Sequence, residues 1–192
     1  MKRKLFLGLA IVLAAALEAC APMKEYQAVI QEADRLLEVP ESDQIRYFIQ
    51  LQDSSVVKEI NTSDLSDSLA YEVLYKLIQK DEHVLALAKF PRIESGDFSA
   101  FSVHYFDKQG HTVGYRKKIT AFNSQCEYDP VVAETLKFFD DAGVLVHDEQ
   151  TLKSKAGAVI PVDSGCIVNS EFSDTIYMMY HQTYFYLESG LN

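Results

Sequence analysis

The sequence predicts an α+β fold: a single mainly antiparallel sheet packed by two or three helices. Three observations point there. Apolar residues recur at helical spacing in three stretches, near residues 26–37, 64–80 and 130–139. Around them lie aromatic and β-branched runs bounded by Pro, Gly and Asp. Finally, the quartet Asp107-Lys108-Gln109-Gly110 separates two such runs, as the turn of an antiparallel hairpin does.

In chain order, Met23 to Glu38 reads as a helix, with Tyr26, Val29, Ile30, Ala33, Leu36 and Leu37 on its apolar stripe and Pro40 to stop it. Gln44 to Leu51 reads as a strand, with a short extended piece at Val56 and Val57. A second helix is expected from Asp64 to Lys80. Leu65, Leu69, Val73 and Leu77 form its stripe, with acidic residues at its start and lysines at its end. His83 to Phe90 is strand-like, and Pro91 ends it. In the hairpin that follows, Phe101, Val103 and Tyr105 are expected to share a core side with Val113, Tyr115 and Ile119. Arg116-Lys117-Lys118 then reads as a solvated edge. Asp129-Pro130 has the form of a helix start, with Val132, Leu136 and Phe139 in an apolar row and Gly143 as terminator. Val144 to Val146 returns as a strand. The last run, Ile176 to Leu187, reads as a strand on its aromatic content.

The N-terminus carries a different message. Lys2, Arg3 and Lys4 precede 13 residues, Leu5 to Leu17, with no polar side chain, which is the layout of a secretory signal. As a helix this run spans roughly 20 Å, short of a hydrocarbon core of roughly 30 Å. Leu17-Glu18-Ala19-Cys20 follows. It resembles the lipobox of bacterial lipoproteins: Leu17, Ala19 and Cys20 match, and Glu18 stands where that family carries a small residue. The resemblance implies diacylglyceryl transfer to the Cys20 sulfur, cleavage before Cys20 and acylation of the new amino group. It implies an envelope protein held on the extracytoplasmic side. Ala21 resembles the default for the outer membrane, if the organism has one. Two other readings of the segment are ordinary cleavage after Ala14-Ala15-Ala16, and retention as an uncleaved anchor.

On the lipoprotein reading, residues 1–19 are a signal peptide and 20–192 a single α+β domain with a short tether. Removing Lys2, Arg3, Lys4 and Glu18 shifts the formal charge from −10 to −12. Such acidity disfavours nucleic acid, whose phosphates need a basic face, and leaves a cationic partner or another envelope protein open. The three cysteines become an even pair once Cys20 carries lipid, so Cys126 and Cys166 are the candidate disulfide, worth about 4 kcal/mol on chain-entropy grounds. With no CxxC, no HExxH and no close Cys/His spacing, neither a metal nor another cofactor is expected.

Candidate chemistry is sparse. Asp163-Ser164-Gly165 is similar to the nucleophile turn of trypsin-like proteases, but Val162 and Cys166 stand where that family carries glycine, so it reads as an ordinary turn. His104 and His111 flank the hairpin turn and, in one register, would approach each other. Glu94 and Asp97 share one loop. The tail offers Tyr177, Tyr180, His181, Tyr184 and Tyr186 as a candidate binding surface, because tyrosine presents a rigid apolar ring and a hydroxyl. These features favour a membrane-tethered binding or scaffold module for another envelope component. The alternatives are an extracytoplasmic hydrolase using dispersed Asp, Glu and His residues, and an acidic inhibitor or immunity-type lipoprotein that binds a cationic target.

Overall fold

The computed structural model describes residues 26–39, 42–52, 54–64, 71–122, 130–161, 166, 168 and 172–190. Within them lie eight strands: β1 (Ile45–Leu51), β2 (Val57–Ile60), β3 (Tyr71–Lys80), β4 (His83–Pro91), β5 (Phe98–Phe106), β6 (Thr112–Ala121), β7 (Val131–Phe139) and β8 (Leu145–Ser154). They form one sheet in the order β2-β1-β3-β4-β5-β6-β7-β8, and every pairing is antiparallel. The helices are α1 (residues 26–37) and the single-turn-scale α2 (Tyr184–Ser189). The domain is therefore mainly β. The expected α+β arrangement of two or three packing helices is corrected: only α1 is a helix of any length among the described residues.

The described parts of two expected helices, 71–80 and 131–139, are strands for the same reason, and Leu65 and Leu69 of the first lie outside the described residues. In β3, Val73, Tyr75 and Leu77 pack on one face of the sheet while Ile78 packs on the other. A strand covered on both faces places apolar residues at adjacent positions, and the pairs 73–74 and 77–78 then mimic helical spacing. Strand β7 repeats the pattern, with Val131 and Phe138 buried on opposite parities. Pro130 precedes β7 instead of opening a helix, a position where its missing N–H removes no ladder bond. The expected terminal strand is also corrected. After an extended stretch come a 3-10 turn at Tyr180–Gln182 and α2, which Thr183 caps by accepting the Tyr186 N–H at 3.2 Å. Gly190, at φ 66°, ends it.

The β5–β6 hairpin forms as its sequence predicts. Gly110 N–H donates to the Asp107 carbonyl at 3.0 Å with Gly110 at φ 84°, and Asp107 Oδ1 accepts the Gln109 and His111 amides. Its facing differs from the expectation at two of the three β6 positions, since Ile119 pairs with Ala100 and so faces away from Phe101, Val103 and Tyr105. A bulge between Tyr105 and Phe106 shifts the register, so Val113 stays with Tyr105 on one face while Tyr115, opposite His104, lies on the other. Nor is Arg116-Lys117-Lys118 at an edge: β6 lies between β5 and β7, and its basic residues alternate between the two faces.

Helix α1 covers the first face. Tyr26, Ile30, Ala33 and Leu36 pack on Ile45, Ile78, Ala86, Val103, Tyr105 and Val113. Asp34 fixes its position, accepting the Tyr105 hydroxyl at 2.6 Å and Arg116 Nη1 at 2.6 Å. At the helix start, the Tyr26 hydroxyl donates to Asp141, and that bond to a carboxylate pushes the phenol up to about 12. Close approach of helix to sheet depends on Gly114, where an added Cβ would lie 2.8 Å from Ile30 Cδ1 and 3.3 Å from the Tyr105 ring. Gly114→Ala is expected to cost about 1–2 kcal/mol in urea unfolding. In an Ile30→Val background, which removes Cδ1, the same substitution should cost clearly less; an unchanged increment would show that the contact is not the cause.

Candidate functional site

The face away from α1 carries a row of polar side chains that register builds. Lys89 pairs with Ser102, and Ser102 with Lys117; one step along, Leu87 pairs with His104, and His104 with Tyr115. Neighbouring strands thus bring side chains far apart in sequence onto one patch. Across it runs an extended strap, residues 172–179, held chiefly by Asp174. That carboxylate, 5 % exposed, accepts Lys89 Nζ at 3.0 Å, the Tyr115 hydroxyl at 3.3 Å and the Ser102 hydroxyl. Lys117 Nζ donates to the Phe172 carbonyl at 2.7 Å, and the Phe172 ring lies beside the ammonium groups of both Lys89 and Lys117.

His104 continues the clasp. Its ring is buried and its Nε2 accepts the Tyr177 backbone N–H at 3.2 Å, which places the proton of the neutral ring on Nδ1. Burial pushes its pKa down from 6.5 to about 4; Lys89 acts in the same direction, while Asp174 and a backbone hydrogen bond at Thr175 oppose it. Ser102, His104 and Asp174 are therefore close together without being a nucleophile–base relay. The Ser102 hydroxyl donates to Asp174, and His104 Nε2 is engaged by backbone. Beyond them Thr112 donates through Oγ1 to the Tyr177 carbonyl at 2.6 Å and through its N–H to Met178, and His111 bridges to Met179.

Between strap and sheet lies a cavity of about 260 Å³. Its apolar walls include Val73, Leu87, Tyr75, Tyr177 and Phe185; its polar lining includes Gln50, Glu72, Lys89, His104 and Asp174. Phe185, from α2, packs edge-on against Phe48 with centroids 4.9 Å apart and tilts against Tyr75 at 5.2 Å. A wider cleft of about 870 Å³ adjoins the cavity and shares Glu72, Val73, Lys89 and Ser173 with it.

The candidate residues divide unevenly over this site. Tyr177 lines the cavity. Tyr180 packs against Phe106 and Tyr186, with burial pushing its hydroxyl up to about 12, and His181 is exposed in the 3-10 turn. Tyr184 opens α2. The tail aromatics thus do not form one outward strand face. His104 and His111 are not brought together, and no group of metal-ligating side chains occurs among the described residues. Glu94 accepts Gln52 Nε2 at 3.0 Å and lines the outer cleft with Asp97. Cys166 is disulfide-bonded. Cys126, Cys20 with its lipobox, and Asp163-Ser164-Gly165 lie outside the described residues. Sequence reasoning missed Asp174, Lys89, Ser102 and Glu72. The one usable signal was the inward parity of Ser102 and His104 in a strand already recognised.

No protein-family model, curated protein or solved structure matches the chain. No helix among the described residues is long and apolar enough to cross a membrane.

Asp174→Asn keeps the shape of the side chain but removes its charge, and is expected to cost about 1–3 kcal/mol. Hydrogen exchange should quicken at residues 174–179 and stay unchanged in α1; a uniform change across the chain would contradict a strap held by this carboxylate. His104 adds a pH dependence. With its folded pKa below its unfolded value, the unfolded chain binds more protons. Its contribution is complete above pH 6.5 and is lost as pH falls to 4, a loss on the order of 3 kcal/mol. Denaturant melts over that window should show a smaller slope for His104→Gln than for the parent chain.

Proposed function

We propose that this protein is a lipid-anchored lipoprotein of the cell envelope, on the extracytoplasmic side, whose β domain is a binding module for another envelope component. The observation that carries the binding half is the cavity of about 260 Å³ roofed by the strap, where aromatic rings and polar groups converge on one space. The anchor half rests on the basic, then apolar, then Cys20 layout of the N-terminus. Two or more acyl chains on Cys20 make a durable tether, since each buried CH₂ adds about 0.8 kcal/mol.

The engaged state of Ser102 and His104 supports binding over hydrolysis at this site, because neither side chain offers a free nucleophile or base. A second reading, capture of a cationic target by an acidic inhibitor-type lipoprotein, draws on the formal charge of −10.

Metabolic labelling with a tagged fatty acid tests the anchor: the parent chain is expected to take up label and Cys20→Ser to take up none. Equal labelling of both would sink it. For the cavity, Ser173→Trp places a large ring at the junction of cavity and cleft. The full chain should retain an envelope component that this variant releases, and equal retention would move the binding surface elsewhere.

A further inference from the structure

The cavity carries a net sign, and a break in strand alternation contributes to it. Gln50 pairs with Val73 but Leu51 pairs with Tyr71, so Glu72 is the extra residue of a β-bulge. Strict alternation would place Glu72 with Leu74, away from Val73; the bulge re-aims it, and Glu72 lines the cavity beside Val73. Two acidic residues, Glu72 and Asp174, then line the cavity with one ammonium, Lys89. Lys89 is already paired with Asp174 at 3.0 Å, and His104 is neutral near pH 7. Glu72 is left over. Among the described residues its carboxylate has no hydrogen-bond or ion-pair partner.

The remaining walls suit the same sign of ligand. Tyr75, Tyr177 and Phe185 bring three rings to the cavity, and ring faces are electronegative. An anion seated on Lys89 would lie close to Asp174 and would share the cavity with Glu72, a like-charge arrangement that costs affinity. Outside, the adjoining cleft sets Glu94 and Asp97 against Arg92, so the approach is acidic too. We propose that the cavity binds a small organic ammonium ion, with Glu72 as its counter-ion and the rings of Tyr75, Tyr177 and Phe185 around its apolar part. This inference rests on the reading of the cavity as the binding site.

Three probes of similar size separate charge from shape: benzylammonium, its isostere benzyl alcohol, and benzoate, titrated into the full chain in detergent and followed by NMR of the Tyr and Phe ring resonances. Benzylammonium is expected to shift Tyr177 and Phe185 and to bind about tenfold more tightly than benzyl alcohol, with benzoate weakest. Glu72→Gln should remove most of that tenfold preference and leave benzyl alcohol unchanged; Glu72 is exposed at the cavity mouth, so its replacement should leave the fold intact. Equal affinity for all three probes, or an unaltered preference in Glu72→Gln, overturns the ammonium assignment while the cavity remains a binding site. If no probe moves a cavity resonance, the ammonium assignment falls together with the use of this cavity.

Discussion

An antiparallel sheet with apolar side chains on both faces needs a cover on each, and the rest of this structure follows from that requirement. Strands β1, β3, β4 and β5 contribute to two separate cores, one under α1 and one under the C-terminal strap and α2. Leaving either face bare would expose Tyr105 and Val103 on one side, or Phe106 and Leu87 on the other, all buried here. Burial of such side chains stabilises by roughly 1.5–3 kcal/mol each. The covers are accordingly as much a part of the fold as the strands.

Each cover is located by one aspartate. Asp34 on α1 takes a tyrosine hydroxyl and a guanidinium from the sheet; Asp174 on the strap takes a tyrosine hydroxyl, a serine hydroxyl and an ammonium. The two tyrosines, Tyr105 and Tyr115, come from adjacent strands and point to opposite faces. Apolar contact is non-directional and would tolerate a sliding cover. A carboxylate that must meet two or three donors has far fewer acceptable positions, so the aspartates supply register where the hydrophobic effect supplies adhesion.

The two covers differ in what they leave between themselves and the sheet. Helix α1 is packed down to a glycine, with Gly114 beneath Ile30. The strap is a single extended chain, and its polar clasp holds it above a space lined by rings and charges. That difference leaves the α1 face closely packed and the strap face with an accessible cavity. His104 links the clasp to pH, because a buried neutral imidazole under the strap is replaced by an imidazolium only at the expense of that packing.

Features encoded over a few neighbouring residues were legible in the chain itself. The stripe of Tyr26, Ile30, Ala33 and Leu36 specifies α1, and Asp107 with Gly110 specifies the β5–β6 turn. The anchor proposed from Lys2 to Cys20 rests likewise on order and spacing alone. What depended on partners distant in sequence was not legible. The segments of β3 and β7 carry apolar residues at both parities, and only neighbouring strands and, for β3, two covers decide that this means a strand with both faces buried. Asp174 lies 72 residues from Ser102, and nothing near either residue announces the pairing. Glu72 enters the cavity through a bulge, which is a mismatch between two strands and has no existence in one of them. The sequence by itself thus determined helix α1 and the β5–β6 turn. Tertiary pairing decided the fold class, the clasp and the sign of the cavity, because facing and register are properties of strands in contact.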